Sequence, residues 1–308
     1  MRKKVSIIGA GNVGASLAQM IVNSGIADVV LFDIAEGIPQ GKALDLSEAC
    51  PLWGSSSSII GTNDYSHTEG SDVIVITAGF PRKPGMSRDD LLHANAKVVS
   101  EVTENTSKLS PDAVIIVVTN PMDVMSQVSM KVSGFGHERV IGMGGILDSA
   151  RFRTFVAWEL KVSPEDVEAL VLGGHGDLMV PMPRFTTVKG VPITELISEE
   201  KISTIVERTR HGGAEIVSLL KTGSAYYAPA AATYQMVKAV LFDEKRMLPC
   251  SAYLNGEYGT NGVYTGVPIM LGRNGVERIV ELKLNTKEMA EFKKSVSAVR
   301  MLVSKLNL

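Results

Sequence analysis

His175 stands in the run Gly173-Gly174-His175-Gly176-Asp177, directly after an apolar stretch. An imidazole titrates near pH ~6.5, so at neutrality it can take up or release a proton. Flanking glycines let a ligand and the backbone come close. The other histidines, His67, His93, His137 and His211, lie in polar or helix-forming surroundings and read as surface residues. A base works best with a carboxylate behind it. Asp148 and Arg151 sit one helical turn apart and would share a face, either as a local surface ion pair or as part of a site. Arg153 aligns less well with Asp148, and Asp177 lies so near His175 in sequence that its side chain should point elsewhere. Arg82, Lys83 and Arg88 fall among the breakers Gly79, Pro81, Pro84 and Gly85. Such a loop is either a solvated basic surface or a lid closing over an anion, since guanidinium forks pair well with carboxylates.

These residues need a frame. Residues 72–77 form a continuous β-branched apolar run, as in a strand buried on both faces. The basic loop follows it, and Ser87 with Asp90 reads as an N-cap box opening a helix. Asn95, two turns into that helix, either faces a ligand or is an ordinary polar position. Earlier, a strand at 5–8 leads through Gly9-Ala10-Gly11-Asn12-Val13-Gly14 into a helix. A glycine-rich turn in that setting is the dinucleotide fingerprint, with phosphates held at the helix N-terminus. A second strand, 28–32, ends in Asp33, about 20 residues on, where a carboxylate bonds ribose hydroxyls and repels a 2′-phosphate; NAD is therefore expected over NADP. Another buried strand, 113–118, ends in Thr119-Asn120-Pro121, which puts Asn120 at the sheet's binding edge, as donor or as helix cap. Repeated strand–helix units before residue 145 predict an α/β architecture, a Rossmann-type doubly wound parallel sheet.

Beyond residue 180 the pattern changes. A strand pair with a Lys189-Gly190 turn, helices near 199–220 and 226–241, strands at 248–254, 262–268 and 269–273, and a final helix near 286–305 predict a C-terminal α+β substrate domain. Residues 167–172 read as one strand. The expected division is 1–145 and 146–308, without a linker.

With 308 residues and net charge −2, the chain has no basic field for nucleic acid. Its two cysteines, Cys50 and Cys250, form no metal-type spacing and fit a reducing, cytoplasmic setting; no metal is expected. No apolar run approaches the ~18 residues of a membrane span.

Five motifs, GAGNVG, AGFPRKPGMSR, VVTNPMD, GGILDSARFR and LGGHGDLMVPMPR, resemble in order and spacing the lactate/malate dehydrogenase family. They are most similar to its lactate-dehydrogenase-like bacterial malate enzymes. The resemblance implies roles: His175 as proton acceptor with Asp148 behind it, Arg151 on the substrate's C1 carboxylate, and Arg88 with Asn120 on the reacting oxygen. Arg82 would take the position that sets specificity, where lactate enzymes carry Gln. Gly9, Ala10, Gly11, Asn12, Val13, Gly14, Asp33, Asn95, Val118, Thr119 and Asn120 would line the NAD site, and Ser224 would close the substrate pocket. The family also implies a homo-oligomer, dimer or tetramer, acting on a small-molecule acid.

Overall fold

The computed structural model describes residues 2–81 and 87–306. Six parallel strands come first: β1 (Lys4–Ile8), β2 (Asp28–Phe32), β3 (Ile59–Thr62), β4 (Val73–Ile76), β5 (Val114–Val117) and β6 (Val140–Gly142). Every residue of β4 and β5 is buried, as their unbroken apolar runs require when helices cover both faces. Those helices are α1 (Asn12–Ser24), α2 (Ile38–Ala49), α3 (Arg88–Leu109) and α4 (Met122–Ser133). The expected N-cap box on α3 forms: Ser87 Oγ accepts from the Asp90 amide at 3.0 Å, and Asp90 Oδ2 accepts from the Ser87 amide at 3.1 Å.

α5 (Gly144–Leu160) leaves β6 after a single residue. There follow β7 (Val167–Glu168), β8 (Val171–Leu172), β9 (Val180–Pro181), β10 (Thr187–Val188) and β11 (Val191–Pro192), then helices α6 (Ile193–Leu196), α7 (Glu199–Leu220) and α8 (Tyr227–Leu241). Last come β12 (Arg246–Asn255), β13 (Asn261–Gly272), β14 (Gly275–Ile279) and helix α9 (Thr286–Val303).

The second half differs from expectation in three respects. Strands β12 to β14 do not form a sheet of their own: β12 pairs antiparallel with β6 at Ser251 and Gly142, giving one nine-stranded sheet, β14-β13-β12-β6-β5-β4-β1-β2-β3. Residues 262–273 are not two strands, because Pro268 lies opposite Pro249 in the ladder and both missing donors fall at one rung. The strand read at 167–172 is split, β7 pairing with β10 and β8 with β9, since the chain passes there from one small sheet to another. One hydrophobic core runs from Val5 to Leu306 through both halves, and a smaller one lies around Phe152, Val167 and Ile205.

Candidate active site

The carboxyl ends of β1, β4, β5 and β6 open into a cavity of about 560 Å³, roofed by α7 and the start of α8. This is where open α/β sheets bind ligands, because the loops leaving adjacent strands diverge there. A second cavity of about 280 Å³ adjoins it; Gly11, Thr77, Gly79 and Phe80 line both.

The glycine-rich turn joins the two. Gly9 has φ +113°, and a Cβ there would lie 2.6 Å from Thr77 Oγ1, while one on Gly14 would lie 1.9 Å from the Gly9 carbonyl oxygen. Only glycines let α1 and β1 pack this closely. At Gly11, by contrast, a Cβ would meet nothing within 4 Å, so its backbone faces open space at the N-terminus of α1. Amides without partners and a positive helix end suit a pyrophosphate. Asp33 lines the smaller cavity; its Oδ2 accepts from the Ala10 amide at 2.7 Å and its Oδ1 from the Ala35 amide at 3.0 Å. Ala10 itself is buried, and its carbonyl accepts from Lys42 Nζ at 2.6 Å. It therefore orients Asp33 and does not line either cavity. Phe32 and Tyr65 stack with ring centroids 4.0 Å apart at the far end of the smaller cavity. These residues fit a dinucleotide: an apolar slot, a carboxylate on its wall, and a helix end for the phosphates.

The larger cavity holds the chemistry. His175 Nδ1 lies 2.8 Å from Asp148 Oδ2, and Asp148 Oδ1 accepts from Arg151 Nη1 at 3.2 Å. Asp148 is 1% exposed on α5, so its charge acts with little screening from water. The carboxylate fixes the proton on Nδ1 and leaves Nε2 to exchange one with a substrate. Burial alone would push the imidazole down. The charge of Asp148 and its hydrogen bond outweigh that and the opposing Arg151, with help from Asp123, so His175 lies above its ordinary value near 6.5. Gly212 and Gly213 bring α7 against the Arg151 side chain, where a Cβ would sit 3.2 Å from Cδ and 3.5 Å from Nη2 respectively.

His175, Asp148, Arg151 and Asn120 are thus brought together, with Val118, Thr119 and Ser224 on the cavity walls. Asn95 also lines this cavity, while its amide bonds the backbone. Its Oδ1 accepts from the Phe80 amide at 2.7 Å, and its Nδ2 donates to the carbonyls of Asn120 at 2.7 Å and Phe80 at 3.2 Å. It ties the loop after β4 to the loop after β5. Arg88 stands at the mouth, 78% exposed, 3.8 Å from Asp177 Oδ2. Arg153 turns away and donates to the Glu165 carbonyl at 3.0 Å. Arg82, with Lys83, lies outside the described residues.

Sequence reading passed over Asp123, whose Oδ2 accepts from the His175 amide at 2.8 Å. It also passed over Tyr65, which follows the short edge strand β3. The signal for Asp123 was weak, a lone acid in the first turn of a helix.

Sequence profiles described as the lactate/malate dehydrogenase NAD-binding domain and α/β C-terminal domain match residues 3–142 and 146–306. The chain belongs to the lactate/malate dehydrogenase family. Among relatives, the malate dehydrogenase of Roseiflexus sp. (strain RS-1) is 58% identical over 306 residues, 99% of each chain. The crystal structure of Cryptosporidium parvum malate dehydrogenase superposes with a TM-score of 0.97 at 47% identity, covering 99% of each chain. The lactate dehydrogenase of the same organism, complexed with lactic acid and β-nicotinamide adenine dinucleotide, does nearly as well: TM-score 0.96, 47% identity, 99% and 98% covered. As a member of this family the chain is an NAD-dependent oxidoreductase. The fold does not separate the two acids, so the choice between them lies in side chains.

Proposed function

We propose that this chain is a malate dehydrogenase, catalysing the reversible NAD-dependent oxidation of L-malate to oxaloacetate. The observation that carries the reading is the His175–Asp148–Arg151 constellation, set in the cavity that the dinucleotide turn also lines. Neutral His175 takes the hydroxyl proton at Nε2 as the C–H bond at the same carbon breaks. Asp148 stabilises the imidazolium and keeps the ring turned. Arg151 holds the C1 carboxylate in a paired bond. Asn120 donates to the reacting oxygen, and Arg88 joins it by exchanging Asp177 for that oxygen. Gly9, residues 11–14, Asp33 and 118–120 would hold NAD, with Ala10 orienting Asp33 and Asn95 bracing the loops, and NAD would supply the hydride acceptor. Residues 1–145 form the cofactor domain and lend Arg82, Arg88 and Asn120 to the substrate, and 146–308 form the substrate domain that carries Asp148, Arg151 and His175.

Arg82 selects the acid. A second carboxylate can pair with the guanidinium, whereas the methyl of pyruvate offers it no partner. Losing one side of a buried charged pair costs about 2–5 kcal/mol. With NADH, kcat/KM should therefore favour oxaloacetate over pyruvate by about 30-fold or more, and Arg82→Gln should narrow or reverse the ratio. A preference for pyruvate in the unaltered chain would instead assign it to lactate, and equal use of the two acids would remove the selective role of Arg82.

The enzyme works as a homo-oligomer, dimer or tetramer, for which exposed Leu44, Leu52, Leu219 and Tyr227 supply apolar faces. We assign it to the cytoplasm, where the buried free thiols of Cys50 and Cys250 stay reduced. Among the described residues no helix is long and apolar enough to cross a membrane.

A further inference from the structure

The loop carrying His175 is pinned from three sides. Gly173 exchanges two backbone bonds with Gly266 on β13, at 2.9 and 3.0 Å. The Gly174 amide donates to Ser295 Oγ on α9 at 2.9 Å. The His175 amide donates to Asp123 Oδ2 on α4 at 2.8 Å, and Asp123 Oδ1 accepts from Ser251 Oγ on β12 at 2.6 Å. Asp123 is 4% exposed. A neutral hydroxyl suffices to hold the amide of Gly174, so anchoring the next amide does not by itself call for a buried carboxylate, which is costly to keep charged. The charge needs another use.

We propose that Asp123 is a positioning residue for His175, clamping its main chain and placing a second negative charge near the imidazole. This rests on the proton exchange at His175 set out above. The charged groups facing the imidazole are Asp148 and Arg151 from α5 and Asp123 from α4; Asp177 and Arg210 line the same cavity further out. Arg210 is taken up by Glu207 at 2.5 Å and Glu291 at 3.2 Å. Burial pushes Asp123 up, and the Ser251 hydroxyl and His175 amide oppose that rise. The net effect is a carboxyl raised above its ordinary range; the two donors favour its ionised form, the one that would help the imidazolium form.

Asp123→Asn separates charge from anchoring. The amide oxygen can still accept from the His175 N–H, and its nitrogen can donate to Ser251 Oγ, so both contacts survive while the charge is gone. The test is the pH profile of kcat/KM for reduction, with NADH and whichever of oxaloacetate or pyruvate the unaltered chain uses. The midpoint should move about half a pH unit lower and kcat/KM near neutrality should fall by up to about threefold, with NADH affinity unchanged because Asp123 lines neither cavity. An unmoved midpoint, whatever the loss in rate, would reduce Asp123 to a hydrogen-bonding anchor and overturn the proposal. Should Asp123→Asn not fold, Ser251→Ala decides. Losing the stronger of its two donors makes Asp123 neutral more readily, so a lowered midpoint supports the proposal and an unmoved one overturns it. An unaltered chain that reduces neither acid would defeat the functional reading, and this proposal with it; turnover with an unmoved midpoint defeats the proposal alone.

Discussion

Asp148→Asn should lower kcat by about 10³–10⁴-fold while leaving NADH affinity intact. The reason lies in the side chain's two neighbours. Oδ1 faces Arg151, which can only donate, at 3.2 Å, and Oδ2 faces His175 Nδ1 at 2.8 Å. An asparagine must turn its oxygen toward the guanidinium, which leaves its NH₂ against Nδ1. That nitrogen then has to accept, the ring proton moves to Nε2, and the atom that should take the substrate's proton already carries one. The imidazolium also loses its buried counter-charge, so the midpoint of the residual activity should shift to lower pH. Steady-state kinetics with malate and NAD check this; a loss under tenfold would mean that Asp148 does not set the tautomer.

Arg151→Gln should act mainly on substrate. Arg151 lines the cavity with its side chain 13% exposed, close to α7. Removing the guanidinium leaves the substrate's C1 carboxylate with an amide in place of a charged fork. The loss expected for one side of such a pair, about 2–5 kcal/mol, corresponds to roughly 30- to several-thousand-fold in kcat/KM for oxaloacetate. KM should carry most of it. The same change takes away a positive charge that holds His175 down, so the reduction midpoint should move up. The opposite shifts of the Asp148 and Arg151 variants guard against a general loss of structure being mistaken for a specific one. Unchanged kcat/KM in the Arg151→Gln variant would send the substrate's carboxylate elsewhere.

Local features of the site were legible in the chain. The turn from Gly9 to Gly14, the acid at Asp33, the Ser87–Asp90 box and the glycine-flanked His175 all act through near neighbours in sequence. Asp148 and Arg151 were readable as one helix face, and the structure adds that His175 completes the row. What stayed hidden depends on distant pairing. Asp123 meets His175 and Ser251 across separations of 52 and 128 residues, and nothing in its own segment announces either contact. The joining of β12 to β6 is equally non-local, which is why the C-terminal strands read as a separate meander. Pro268 read as a break because its tolerance depends on Pro249 lying opposite. Asn95, open in the sequence as a ligand-facing or an ordinary polar residue, lines the larger cavity while its amide bonds the backbone of the two loops it ties together, contacts no local pattern announces.

The most direct measurement is kcat/KM against pH in both directions, with malate and NAD and with oxaloacetate and NADH. Malate oxidation needs the neutral imidazole and should rise as pH climbs through the pKa of His175. Oxaloacetate reduction needs the imidazolium and should fall through the same pKa, which Asp148 holds above the ordinary value near 6.5. Two profiles bending in opposite directions about one shared midpoint are the predicted result. Two profiles bending the same way would contradict proton exchange at His175.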